Sequence, residues 1–191
     1  LSSGDSYTFT YNGTSYTGTV LQTDLEGTEH NNGAAYLAGY DTNKAATITQ
    51  CIVVNTIKPI TLKSWFEGFT KLTTITGINE KVDTSATTNF QAAFRDCPSL
   101  TGLDISSWNT SKVNYMMNMF SNDAALTSLD LSGWNVANIQ SAYQMFNGCT
   151  GLTTLNIKGW KLSNVITAEG MFAGCSGLTS LDVSTLDLSK C

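Results

Sequence analysis

Few residues of this sequence could carry acid–base chemistry. His30 is the single histidine of the 191 residues, and it lies in a Gly/Asn-rich stretch without a Ser or Cys partner that a motif would indicate. Glu26 and Glu29 could serve as a glycosidase pair, but no pattern indicates that their carboxyls converge on a pocket. Glycine-rich phosphate-binding motifs are absent from the sequence. We therefore predict that the protein is not an enzyme, and glycan processing is the least favoured hypothesis.

The five cysteines could form disulfides or bind a metal ion. Three of them recur in a set of equivalent positions, here called a column, that runs Phe69, Cys97, Asp123, Cys149 and Cys175. Equivalent positions on neighbouring strands lie about 5 Å apart, but their Cβ atoms point the same way and fit a disulfide poorly. No C-x-x-C pair or histidine partner indicates zinc. We predict a reduced, buried ladder of thiols without a metal or cofactor, and Asp123 at the edge of the core. Cys51 and Cys191 fit no pattern, and the odd total leaves at least one thiol free.

A column of acidic residues is a candidate ligand site. Asp104, Asp130 and Asp182, with Asn156 between the last two, take the outward position of predicted strands, where neighbouring like charges repel each other. One interpretation is a weak calcium-binding or ligand-binding stripe. The other is a solvated polar face, which is favoured because Asn156 and Lys158 interrupt the stripe.

A column of tryptophans, Trp108, Trp134 and Trp160, could stack on sugar rings. The three residues follow inward-facing Ile or Leu residues at a predicted turn, and Leu186 takes the fourth position. Burial in the core is therefore favoured over a binding platform.

These columns follow from a 26-residue repeat. Phe94, Phe120, Phe146 and Phe172 are 26 residues apart, and a looser copy begins 28 residues earlier at Phe66. The segment LTSLDL at 126–131 predicts a short strand with Leu129 and Leu131 inward and Asp130 and Ser132 outward. The segment NVANIQSAYQMF predicts a helical turn or two after an N-cap at Asn138, with Phe146 inward. We predict an α/β leucine-rich-repeat solenoid over 60–191. It consists of about five coils, where a coil is one sequence repeat, each with a short strand and a short helix.

Residues 1–59 lack the repeat. Alternating Tyr7, Phe9 and Tyr11 before Asn12-Gly13 predict a β-hairpin, and ATITQCIVVNTI predicts another strand after a Gly/Asn-rich loop. We predict that this β-rich segment caps the N-terminal end of the solenoid. Cys191 lies partway through a coil, so we expect either a truncated coil or something that packs there.

The composition excludes some partners. The net charge is −5, only 13% of residues are charged, and the few basic residues are scattered, which argues against nucleic-acid binding. No apolar run approaches the roughly 18 residues that span a bilayer. We therefore expect membrane contact only through an anchor outside this chain.

The pieces MF.GC..L..LD.S.W and NTSKV resemble the 26-residue repeat of bacterial surface proteins, a leucine-rich-repeat variant related to the BspA-like proteins. The resemblance covers about 60–191 and departs from the pattern at Ala93, Asp123 and Leu186. It implies a bacterial cell-surface or secreted protein that takes part in adhesion, and it brings no catalytic residues.

We predict a non-catalytic interaction module that binds a protein or glycan, with a host or matrix molecule as the expected source, through the concave side of the solenoid. The binding residues are expected on this strand face, defined by Asp104, Ser106, Asp130, Ser132, Asn156, Lys158, Asp182 and Ser184. The alternative is a structural spacer or assembly segment of a larger surface protein.

Overall fold

The computed structural model describes residues 6–11, 14–19, 46–53 and 56–191. Two N-terminal strands, β1 (Ser6–Tyr11) and β2 (Thr14–Thr19), pair in antiparallel orientation with Tyr11 opposite Thr14. This pairing confirms the predicted hairpin. The Asn12-Gly13 turn lies outside the described residues, as do Glu26, Glu29 and His30.

The other elements are short and stack in parallel. In chain order they are β3 (Gln50–Ile52), β4 (Thr74–Thr76), α1 (Ile78–Lys81), a 3-10 helix (Thr84–Ala86), β5 (Ser128–Asp130) and β6 (Thr154–Asn156). β3 pairs with β4, and β5 pairs with β6. Single parallel bridges link the column Thr61, Asn89, Tyr115, Ser141 and Thr167. Each coil therefore lies directly on the one before it.

The strand segment of the coils shows the predicted alternation. In β5, Leu129 is buried between exposed Ser128 and Asp130, and in β6 Leu155 is buried between exposed Thr154 and half-buried Asn156. The segments around Leu103 and Leu181 follow the same pattern in sequence but form no strand in the structure. The inward and outward positions are thus confirmed, whereas the number of complete coils stays a prediction.

The predicted helix of each coil was wrong. The segment from Asn138 to Phe146 is built of turns, and α1 is the one α-helix in the described residues. The N–H groups of Ala142, Gln144 and Phe146 donate to carbonyls of the following coil at 2.9–3.0 Å, so they are not available for bonds within a helix. Asn138 caps no helix, because its side-chain amide donates to the Ser111 carbonyl of the preceding coil at 2.7 Å.

The core runs along the stack as continuous columns of apolar side chains. The phenylalanine rings lie nearly parallel, with centroids 5.4–5.6 Å apart, in the order Phe66, Phe94, Phe120, Phe146 and Phe172. Leu100, Leu126 and Leu152 form a second, fully buried column beside them. One coil could not bury these faces by itself, so the core exists only because the coils stack.

The backbone ladder extends into the segment predicted to be a cap. β3 adds a strand to β4, and Ile57 bridges Val82 in parallel. Residues 50–52 and Ile57 thus lie on the first coil, while the capping role of 1–59 stays a prediction. In the part of the chain that the structure describes, no helix has the length and apolar character needed to cross a membrane.

Candidate binding face

The structure places the predicted strand-face residues in two adjacent columns. Asp104, Asp130 and Asp182 are exposed, and Asn156, which pairs directly with Asp130 across β5 and β6, is half-buried. The neighbouring column, two residues further along each coil, is exposed throughout and consists of Ser106, Ser132, Lys158 and Ser184. The eight residues therefore share one side of the stack.

The aspartates of this face have a structural role that the sequence interpretation missed. Oδ1 of Asp130 accepts hydrogen bonds from the backbone N–H and the hydroxyl of Ser132, at 3.0 and 2.7 Å. Oδ1 of Asp104 holds Ser106 in the same way, at 3.1 and 2.8 Å. Such side-chain bonds two residues ahead form an Asx turn, which redirects the chain at the end of the strand. Asp or Asn followed two residues later by Ser was the signal available in the sequence.

The same turn recurs along the column. Asn156 accepts the N–H of Lys158 at 3.2 Å, and Asp182 accepts the N–H of Ser184 at 2.9 Å. The Ser132 hydroxyl, followed by its N–H, lowers the pKa of Asp130. The Ser184 hydroxyl and N–H likewise lower the pKa of Asp182, to which the charge of Lys158 adds. These carboxylates are therefore ionised and held in one orientation at neutral pH.

A second column of Asx turns lies on the far side of the tryptophans. The side chains of Asn109 and Asn135 accept the N–H groups two residues ahead, at 3.0 and 3.1 Å. Asp83 makes the same contact with Ser85 at 2.9 Å, and the Ser85 hydroxyl and N–H, together with Lys58, lower the pKa of Asp83 to about 2. The Asp and Asn columns of the repeat thus set its corners.

Threonines extend the polar array next to the strand face. The hydroxyls of Thr101, Thr127 and Thr153 donate to the carbonyl of the equivalent threonine one coil earlier, at 3.4, 3.5 and 3.1 Å. Beside them, Ser128 and Thr154 are exposed on β5 and β6. Sequence reasoning did not single out these residues, although the Leu-Thr pair recurs in each repeat.

The geometry does not bring metal ligands together on this face. No group of three or more His, Cys, Asp or Glu side chains that could hold a metal ion occurs within the described residues. Oδ1 of Asp104 and of Asp130 is already occupied by its own turn. The calcium interpretation therefore has no support from the described part of the chain.

The tryptophan column lies in the core, as predicted. Trp108, Trp134 and Trp160 are buried, and their rings stack with centroids 6.4 Å apart. Each indole N–H donates to a carbonyl of the preceding coil, at 2.9–3.2 Å. These rings are not accessible to a sugar, so the platform hypothesis was wrong.

The cysteine column is buried at Cys97 and Cys149, as predicted, whereas Cys175 is half-buried, and the three thiols are free. Cys97 and Cys149 are fully buried, and burial raises the pKa of both thiols well above its usual range. Cys51 is buried as well, which raises its pKa to about 12, whereas Cys191 is exposed.

The prediction for Asp123 was wrong. Its side chain lies deep in the core with 0% exposure, because its column is enclosed by the coils on either side.

Comparison with known proteins identifies the repeat segment. The family model described as "Mycoplasma protein of unknown function, DUF285" matches residues 60–184. No curated protein matches the chain. Among solved structures, a leucine-rich-repeat protein of T. pallidum is similar, with 21% identity and a TM-score of 0.39 over 70% of this chain. The similar region spans 66% of that protein's chain.

Proposed function

The chain belongs to the DUF285 family, and we propose that it is a non-catalytic interaction module. In this proposal a leucine-rich-repeat solenoid of about five coils presents its strand face to a protein or glycan ligand. The observation that carries the proposal is the fixed orientation of the outward side chains, since Asp104, Asp130 and Asp182 are each held by a turn of their own. A surface that is already ordered loses little conformational entropy when it binds.

The chemistry of the strand face favours a polar ligand. Three exposed carboxylates alternate with serine hydroxyls, and Lys158 adds one positive charge beside Asp182. Carboxylates and hydroxyls in a regular array suit sugar hydroxyls or the basic side chains of a protein. We infer a surface or secreted location from the resemblance to BspA-like repeats, and adhesion to a host or matrix molecule is the role that fits it.

The test requires a substitution that changes the face without breaking a turn. Asp130 is unsuitable for charge reversal because its carboxylate holds Ser132. Lys158→Glu is suitable, since the turn uses only the Lys158 backbone N–H. Lys112→Glu is the matched control: Lys112 is also exposed but lies outside the two columns.

The experiment is a binding screen of the reduced protein against extracellular-matrix proteins and a glycan array. For any saturable hit, Lys158→Glu should change the affinity at least several-fold while Lys112→Glu leaves it unchanged, with equal melting temperatures. An affinity that responds equally to both substitutions, or to neither, would rule out the strand face as the site.

A second candidate function is a spacer or assembly segment. It is favoured by apolar side chains exposed on the last coil, where Ile166, Val183 and Leu188 are 68%, 48% and 42% accessible. Light scattering under reducing conditions tests it. A mass that rises with concentration and returns to the monomer value in Val183→Lys would support assembly, and a constant monomer mass would argue against self-association.

A further inference from the structure

The thiols of the cysteine column share one hydrogen-bonding pattern. Cys97, Cys149 and Cys175 each donate to the carbonyl of the phenylalanine on the preceding coil, at 2.9–3.0 Å. Those carbonyls, of Phe66, Phe120 and Phe146, also accept the N–H of the residue three positions ahead, each at 3.2 Å.

Asp123 replaces a cysteine in this column and changes the pattern. Its Oδ1 accepts the Cys97 N–H at 2.9 Å, so that N–H does not reach the Phe94 carbonyl as its equivalents do in other coils. Its Oδ2 is buried without a hydrogen-bond partner. Within the described ranges no hydrogen bond reaches the Phe94 carbonyl either. Two acceptors thus stay unsatisfied in one buried layer, which is costly.

One proton would satisfy both acceptors. We propose that Asp123 is a neutral carboxylic acid in the folded protein, and that its Oδ2–H donates to the Phe94 carbonyl oxygen as the thiols do in the other coils. A neutral carboxyl has one acceptor oxygen and one O–H donor, which matches the Cys97 N–H and the Phe94 carbonyl. In an ionised Asp123, Oδ2 would instead be a hydrogen-bond acceptor next to the Phe94 carbonyl oxygen, which is also an acceptor.

The surrounding charges agree with a neutral form. Burial, with the negative charge of Asp96, raises the pKa of Asp123 well above its usual range, against the opposing effect of the Cys97 N–H. The other titratable groups that interact with it, Cys97 and Cys149, are thiols whose pKa is also raised by burial. The nearby cation, Arg95, already pairs with Asp96 and Glu67 at 3.0 and 3.3 Å.

The consequence is that the contribution of Asp123 to the stability of the fold is largest in acid. Because the pKa of Asp123 is higher in the folded than in the unfolded chain, where it is about 3.9, folding binds a proton. The stabilisation is complete at pH values below the pKa of Asp123 in the unfolded chain, and it is lost as the pH rises towards the pKa of Asp123 in the folded chain. In that window the unfolding equilibrium constant should rise about tenfold per pH unit through this one group.

The test compares Asp123→Asn and Asp123→Cys with the parent protein in denaturant titrations from pH 4 to pH 8. Asn donates and accepts as a neutral carboxyl does, and Cys restores the column, so both variants should lose the roughly tenfold change per pH unit above pH 4. Asp130→Asn is the control, because Asp130 is exposed and Asn keeps the turn acceptor, as Asn156 shows. The same pH dependence in the parent and in both Asp123 variants would overturn the proposal.

A spectroscopic measurement does not depend on the variants folding. In the parent protein with ¹³C-labelled aspartate carboxyls, one aspartate should keep the infrared band of a protonated acid at pH 7. A spectrum with only carboxylate bands at that pH would contradict a neutral Asp123.

Discussion

The phenylalanine ladder predicts how the cost of removing one ring depends on its place in the stack. Phe120 is fully buried between two rings, those of Phe94 and Phe146, at 5.6 and 5.4 Å. Phe172 is half-buried and stacks on Phe146 at 5.6 Å. The same substitution to alanine at the two positions therefore compares an enclosed ring with a partly covered one.

The magnitude follows from burial and ring contacts. Phe120→Ala should lower the free energy of unfolding by about 3–5 kcal/mol, because the coils on both sides hold the cavity open. Each ring pair contributes about 0.5–1.5 kcal/mol beyond its buried area. Because Phe120 has two ring neighbours, the cost of Phe120→Ala should lie near the upper end of the range of about 3–5 kcal/mol. Phe172 is partly exposed and has one ring neighbour fewer, so Phe172→Ala should cost roughly 1–2 kcal/mol less than Phe120→Ala.

Guanidinium titration followed by tryptophan fluorescence measures both variants, since Trp134 and Trp160 report the buried stack. A difference of about 1–2 kcal/mol corresponds to roughly 5- to 30-fold in the unfolding equilibrium constant. Because coils contact only their neighbours, Phe172→Ala should also broaden the transition by loosening the last coil first. Equal costs at the two positions would refute a core that is enclosed coil by coil.

Three further outcomes are expected. Gln144→Gly should stabilise the fold by about 1 kcal/mol, because Gln144 has φ +50°, which glycine adopts more readily. Gly148→Ala should destabilise the fold, because Gly148 has φ +74° and a Cβ there would lie 2.6 Å from Asn122 Oδ1. Thermal melts of both variants measure these two effects. Asp130→Ala should melt at a lower temperature than Asp130→Asn, because only Asn keeps an acceptor for the turn, and identical melts would contradict the Asx-turn role. In the native, reduced protein a thiol reagent should modify Cys191 at once and the buried cysteines only on unfolding. Mass spectrometry of samples quenched at successive times measures how many thiols have been modified.

Several features of the fold could be predicted from residue spacing. The 26-residue step places Phe120 and Phe146 in one column and Leu129 and Leu155 in another, and all four are buried. The interpretation of Trp134 as core rested on the same argument. Periodicity predicts these positions because stacked coils put equivalent residues in equivalent surroundings.

The turn segment could not be predicted in this way. The spacing of Ile139, Ala142 and Phe146 fits a helix as well as it fits the observed turns, since both bury the same side chains. The backbone N–H groups of Ala142 and Gln144 decide between the two conformations, because they donate to carbonyls of the next coil rather than to carbonyls of their own coil. That choice depends on a neighbour that local sequence does not reveal.

Residue spacing is sufficient to predict the period, the apolar columns and the side of the strand that faces solvent, because burial follows directly from side-chain chemistry. The roles of the polar columns, in contrast, depend on how the coils stack on one another. Asp130 and Asp123 are the same residue type in adjacent segments, yet one holds an exposed turn and the other lies in the core against Cys97. The difference arises from the hydrogen-bond partners that stacking brings to each carboxyl. The sequence does not show which donors and acceptors lie within hydrogen-bond distance of that carboxyl.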